Sequence, residues 1–176
     1  MKKTFYLALS GLLMVASGIV LIISKQIGIP SSKTLVPLFL LSSGICGFIF
    51  SKYDKLPKVA IEYHTIQGIG LITYAIIMTL IIDSLSSFLM LTTYFIIMYG
   101  LFEILFSFMV LNSNHSINKR ILLTRLTAGA INLIGGFILL LSSLSNLDKG
   151  IVIAGVLIII GGVSFVIFSN RIEKKV

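Results

Sequence analysis

Tryptophan is absent from this chain, cysteine occurs once, histidine twice and proline three times. Charge is scarce as well: 11% of the 176 residues are Asp, Glu, Lys or Arg, where soluble domains carry about 25%. Each scarcity excludes something. A single cysteine, Cys46, cannot form an internal disulfide, and its apolar surroundings point to an inert buried thiol. Two histidines and six carboxylates, most of them near the ends of apolar runs, leave little for hydrolysis or metal binding. No Gly-x-Ser-x-Gly elbow, phosphate-binding glycine loop, His-Glu-x-x-His motif or Cys/His cluster occurs. We therefore expect no enzyme, no cofactor and no metal. No polar stretch is long enough to form a soluble receptor or ATPase domain.

What is present is apolar. Hydrophobic residues make up 57% of the chain, which is a membrane composition and more than one water-soluble core could absorb. The lipid bilayer is the expected partner, with self-association or another membrane protein beside it. The net charge of +8 does not imply nucleic acid, because the basic residues sit singly or in short groups between apolar runs rather than on one face.

A helix needs about 20 apolar residues to cross the hydrocarbon of a bilayer. Six runs meet that length: Thr4–Ser24, Thr34–Ser51, Tyr63–Ile82, Phe88–Leu111, Leu126–Leu147 and Gly150–Asn170. They lack period-2 alternation and are about twice as long as a barrel strand, so six helices are predicted in one domain spanning residues 1–176. Lys2 and Lys3 followed by an apolar run and Ala16-Ser17-Gly18 resemble a signal peptide. The run continues through Ile23, so it is expected to remain as a span.

With the N-terminus inside, the cytoplasmic face would hold Lys2, Lys3, Lys52, Lys55, Lys58, Lys119, Arg120, Arg125, Arg171, Lys174 and Lys175. The outer face would hold Lys25, Lys33 and Lys149. That imbalance predicts both termini in the cytoplasm of a bacterial cell and the protein in its cytoplasmic membrane.

The odd spans align as GLLMVASGIVLIIS (11–24), GIGLITYAIIMTLI (68–81) and GAINLIGGFILLLS (129–142). The even spans align as GICGFIFS (44–51), GLFEILFS (100–107) and GVSFVIFS (162–169). Small residues recur seven apart at Gly11/Gly18, Gly68/Ala75 and Gly129/Gly136, and Gly44, Gly100 and Gly162 open the even segments. Small residues at such spacing stay near one helix face and let backbones approach closely in lipid. One two-helix hairpin is therefore predicted three times, over residues 4–52, 60–112 and 121–170. On these residues the chain resembles the short-repeat bacterial membrane proteins of the HdeD type, which have about six helices in three two-helix repeats. The match is carried by Gly11–Ser24 with Gly44–Ser51 and by Gly129–Ser142 with Gly162–Ser169. The middle unit departs from it, with Ala75 and Glu103 in place of small or apolar residues. The resemblance implies an architecture and, by association, a role in acid or envelope stress tolerance. It brings no catalytic residues.

Glu103 is the one charge between Ser84 and Asn118. It lies about 12 Å from the nearer end of its span by the helix rise. An ionised carboxylate at that depth costs about 2.5 kcal/mol or more on insertion scales, so it must be paired, protonated or facing water. Arg125 is the cation set inside a neighbouring helix, just before the apolar run of the unit 121–170, and His64 and Gln67, three apart on one helix face with Glu62 beside them, lie at similar depth. Three readings follow: an ion pair joining two helices, a proton-responsive or ligand-contacting site, and a protonated carboxyl facing lipid. The first suits a structural or stress-tolerance protein and the second a small proton-linked transporter or channel. Asn132 is expected to hydrogen-bond between helices. His115 is expected in a solvated loop, where the Asn114-His115-Ser116 sequon has no meaning on a cytoplasmic face.

Overall fold

The computed structural model describes residues 4–52, 58–82, 84–112, 119–142 and 146–173. His115, the sequon at Asn114, and Lys2, Lys3, Lys55, Lys174 and Lys175 lie outside the described residues. The elements are α1 (Thr4–Ile22), α2 (Ser24–Ile27), α3 (Ile29–Ser51), α4 (Lys58–Ile81), α5 (Leu85–Leu111), α6 (Lys119–Ser142) and α7 (Leu147–Glu173). All except the single turn α2 are long and apolar enough to cross a membrane, as the charge gaps predict.

The differences from expectation lie at the ends. Helix α3 begins at Ile29 rather than Thr34, because Pro30 in its first turn has no amide hydrogen to leave unsatisfied there. Pro37 therefore falls inside the helix, where it forgoes one backbone hydrogen bond. Between α1 and α3 the chain turns through α2 and Gly28, whose φ of +87° is open to glycine at little cost. Helix α5 starts on a reciprocal cap: Ser84 Oγ accepts from the Ser87 amide, and Ser87 Oγ accepts from the Ser84 amide, each at 3.1 Å.

The spanning helices close into a ring, α1–α3–α4–α5–α6–α7, with α7 packed back on α1. The most extensive contacts are α1 with α7, α3 with α4, and α5 with α6, rather than those within the expected hairpins. Glycine explains the choice. A Cβ on Gly11 would stand 2.6 Å from the Gly162 carbonyl oxygen, one on Gly44 2.8 Å from that of Gly68, and one on Gly100 2.7 Å from that of Gly129. Gly18 likewise faces the Gly155 carbonyl at 2.5 Å, and Gly136 faces Ile97 at 2.6 Å. These seams bring backbones closer than any side chain permits, which is how helices gain packing where lipid offers no hydrophobic driving force. Side chains add bonds across helices: Ser43 Oγ donates to the Ser10 carbonyl at 2.9 Å, and Ser169 Oγ to the Thr4 carbonyl at 2.7 Å.

The inward positions are buried and the outside is apolar. Along α1, α4 and α6 the buried positions recur seven apart, as Leu7, Met14 and Leu21, His64, Leu71 and Met78, and Arg125, Asn132 and Leu139. Each is at most 2% exposed. Large apolar residues such as Leu12, Leu80, Ile134 and Leu141 face outward around the bundle, an arrangement suited to lipid and not to water. Lys25 and Asp148 pair at 2.7 Å where α2 meets the start of α7, with both side chains more than half exposed. Asp148→Asn is expected to change the unfolding midpoint by little, within about 1 kcal/mol; thermal unfolding in detergent measures it.

Candidate functional site

Glycine packing places the polar centre. A Cβ on Gly129 would stand 2.8 Å from the Cβ of Glu103, so the α5–α6 seam sets Glu103 directly against α6. Arg125 precedes Gly129 by four residues and lies on the same helix face, within reach of the carboxylate. Arg125 sits about two turns into α6, because that helix begins at Lys119.

The guanidinium grips the carboxylate with two bonds: Nε to Glu103 Oε2 at 2.7 Å and a terminal nitrogen to Oε1 at 2.7 Å. This is the parallel fork that suits arginine to carboxylates. Both side chains are wholly enclosed. The Tyr63 hydroxyl donates to Glu103 Oε1 and accepts from the Arg125 terminal nitrogen at 3.1 Å. Gln67 Nε2 donates to Oε1 at 3.3 Å, and Gln67 Oε1 stands 3.3 Å from His64 Nδ1. The carboxylate thus takes four donor bonds from three side chains, three on Oε1 and one on Oε2.

Four aromatic rings enclose the cation. Arg125 Cζ lies 4.4 Å from the Phe106 ring centre, 4.6 Å from Phe168, 4.9 Å from Tyr63 and 5.0 Å from Phe165, all within cation–π range. His64 packs on two of the same rings, 5.1 Å from Tyr63 and 5.9 Å from Phe106, and 5.0 Å from Phe50 on its other side. Arg125 Nη1 and His64 Nε2 find no hydrogen-bond partner among the described residues; the ring faces around Arg125 supply part of that charge stabilisation.

Of the residues singled out in the sequence, the structure brings together Glu103, Arg125 and Gln67, with His64 attached through Gln67. Glu62 stands apart. It is exposed and lies 3.8 Å from Lys58, one turn earlier on α4, because each residue turns about 100° from its neighbour on a helix. Tyr63 and the four-ring enclosure go beyond the sequence reading; of those rings only Phe106 and Phe168 hold a recurring place in the sequence, before the serine that closes each even segment. Asn132 is buried, and neither polar atom of its side chain finds a partner among the described residues, contrary to the expected hydrogen bond between helices. Among the described residues, no group of three His, Cys, Asp or Glu side chains is placed to hold a metal ion.

Comparison with protein-family models, with curated proteins and with solved structures finds no match for this chain.

Proposed function

We infer that this chain is a non-enzymatic integral membrane protein of the bacterial cytoplasmic membrane, HdeD-like in build, that serves acid or envelope stress tolerance as a packed membrane body. One observation carries the reading: the only fully buried ion pair among the described residues is a two-point fork joined by Tyr63 and Gln67 and enclosed by aromatic rings. A carboxylate held in this way is a lock between helices and has little capacity left for a substrate or a travelling proton. Beyond it, the inward positions seven apart on α1, α4 and α6 are Met14, Leu71 and Asn132, then Leu21, Met78 and Leu139, of which Asn132 alone is polar; the buried Thr92, Thr93 and Ser164 hydroxyls bond to carbonyls of their own helices. The proton-linked transporter is the weaker reading for that reason.

Three two-helix units, 4–52, 60–112 and 121–170, related by a rough threefold axis, complete the reading. It is supported by equivalent glycines meeting in all three junctions: Gly44 with Gly68, Gly100 with Gly129, and Gly162 with Gly11. Leu7, His64 and Arg125, each four residues before a seam glycine, occupy matching buried positions. Both termini lie on the cytoplasmic side, supported by eleven basic residues there against three outside. Asn114→Cys, in a Cys46→Ser background, is therefore expected to resist an impermeant thiol reagent in intact cells and to react once the cells are opened. Labelling in intact cells would reverse the orientation.

The functional test is a strain lacking the gene, challenged with acid, detergent and membrane-active peptides and complemented with the native chain. Reduced survival restored by the native chain is expected; unchanged survival under every challenge would remove the stress assignment.

A further inference from the structure

A cleft of about 490 Å³ runs between α4 and α5, the ring neighbours with the sparsest mutual packing. Gln67 and Gly70 line it from α4. Tyr74 and Phe95, stacked at 4.2 Å across the two helices, join them there, and Tyr99 and Phe102 line it from α5. From Gln67 to Ile77 it extends about 15 Å along α4 by the helix rise. Its rim opens through Ile66 and Met98, both about half exposed on the outward face of the bundle.

Gly70 supplies an independent observation. The other glycines inside the spanning helices lie against a neighbouring element, most of them so closely that a Cβ would clash, whereas a Cβ on Gly70 would meet no heavy atom within 4 Å. A mid-helix glycine costs about 0.5–1 kcal/mol relative to alanine, and no close helix accounts for this one. The aligned positions in the other two units hold Leu13 and Ile131. What the missing side chain provides here is space in the cleft.

We propose that the α4–α5 cleft is a binding site for one acyl chain of a membrane phospholipid, its far end resting near Gln67. The size fits an alkyl chain: at about 30 Å³ per group, the volume of a liquid water, the cleft holds about sixteen methylenes. Charge selects the source of the chain. The lining contains no charged side chain, and Arg125 is closed off by Glu103 and its aromatic shell. Nothing in the cleft would hold a free fatty acid's carboxylate, whereas a phospholipid carries its chain on a neutral ester and needs no cation there. The proposal rests on the reading of the chain as a membrane-spanning protein.

The test uses the full chain in phosphatidylglycerol vesicles containing phosphatidylglycerol with a diazirine on one acyl chain, with adducts mapped by peptide mass spectrometry. The native chain is expected to be labelled on residues 66–77 and 91–102. Gly70→Leu fills the cleft from a position with open space, and Thr73→Phe does so from an exposed position. Each is expected to lower that labelling roughly tenfold, since several buried methylenes lose their place, and to leave labelling of the outward α6 segment 134–141 unchanged. Undiminished cleft labelling in variants that retain the native melting temperature would overturn the site. Stronger cleft labelling by diazirine-palmitate than by the phospholipid would overturn the assignment to phospholipid. Absence of labelling at α6 as well would overturn the spanning reading itself.

Discussion

Arg125→Leu is expected to destabilise the bundle by about 3–5 kcal/mol, the usual cost of stranding one partner of a buried ion pair. The substitution removes both of the 2.7 Å bonds to Glu103 and the cation at the centre of four rings. Glu103 is left in a closed apolar space with Tyr63 and Gln67 as its donors. Glu103→Gln, in turn, leaves the guanidinium without its counter-charge, and a comparable loss is expected. The pair of changes made together, Glu103→Gln with Arg125→Leu, should recover part of the loss, because neither uncompensated charge remains. Thermal or denaturant unfolding of the four proteins in one detergent provides the cycle. Strict additivity would mean that the two groups do not act as a pair.

The second large effect is expected at the ring closure. Gly11→Val would place a Cβ 2.6 Å from the Gly162 carbonyl oxygen and 2.8 Å from the Phe165 Cβ. A backbone oxygen cannot rotate away, so α1 and α7 must separate along the most extensive contact in the bundle. A loss of about 3 kcal/mol or more is expected, at or beyond the upper end of ordinary overpacking. Gly70→Ala is the contrasting control. With open space around its Cβ, it should gain about 0.5–1 kcal/mol from helix propensity. Equal effects at Gly11 and Gly70 in the same unfolding assay would contradict the assignment of Gly11 to a packing seam.

The positions of the spans were legible because charge is so costly in hydrocarbon that its gaps mark them out. The same cost makes the pairing of Glu103 with Arg125 one of three readings open from the sequence: a carboxylate in an apolar run must be paired, protonated or facing water, and Arg125 stands inside a neighbouring helix. Glu62 shows where that logic stops. It adjoins Tyr63 and His64 in sequence, yet the helix turns it outward to Lys58, and adjacency in the chain is not adjacency on a helix face. The aromatic shell of Arg125 was hidden for a different reason. Phenylalanines are ordinary in a membrane chain, and only the joining of α4, α5, α6 and α7 gathers Tyr63, Phe106, Phe165 and Phe168 around one cation. Gly68 and Gly70 make the same point within three residues. Both read as small residues on α4, but one meets α3 at a seam and the other opens a cleft. The turn α2 escaped notice because four residues between two apolar runs carry no periodicity to read.

A fully buried carboxylate forked to a cation and joined by two further donors is expected to move no protons. The direct measurement is proton flux across phospholipid vesicles containing the purified chain, with an internal pH dye, an imposed pH gradient and valinomycin to collapse any opposing potential. Native protein and Glu103→Gln should both leak at the rate of protein-free vesicles. A flux that the native chain supports would contradict the structural lock, and its loss in Glu103→Gln protein that keeps the native helix content in the same vesicles would make Glu103 a transport residue.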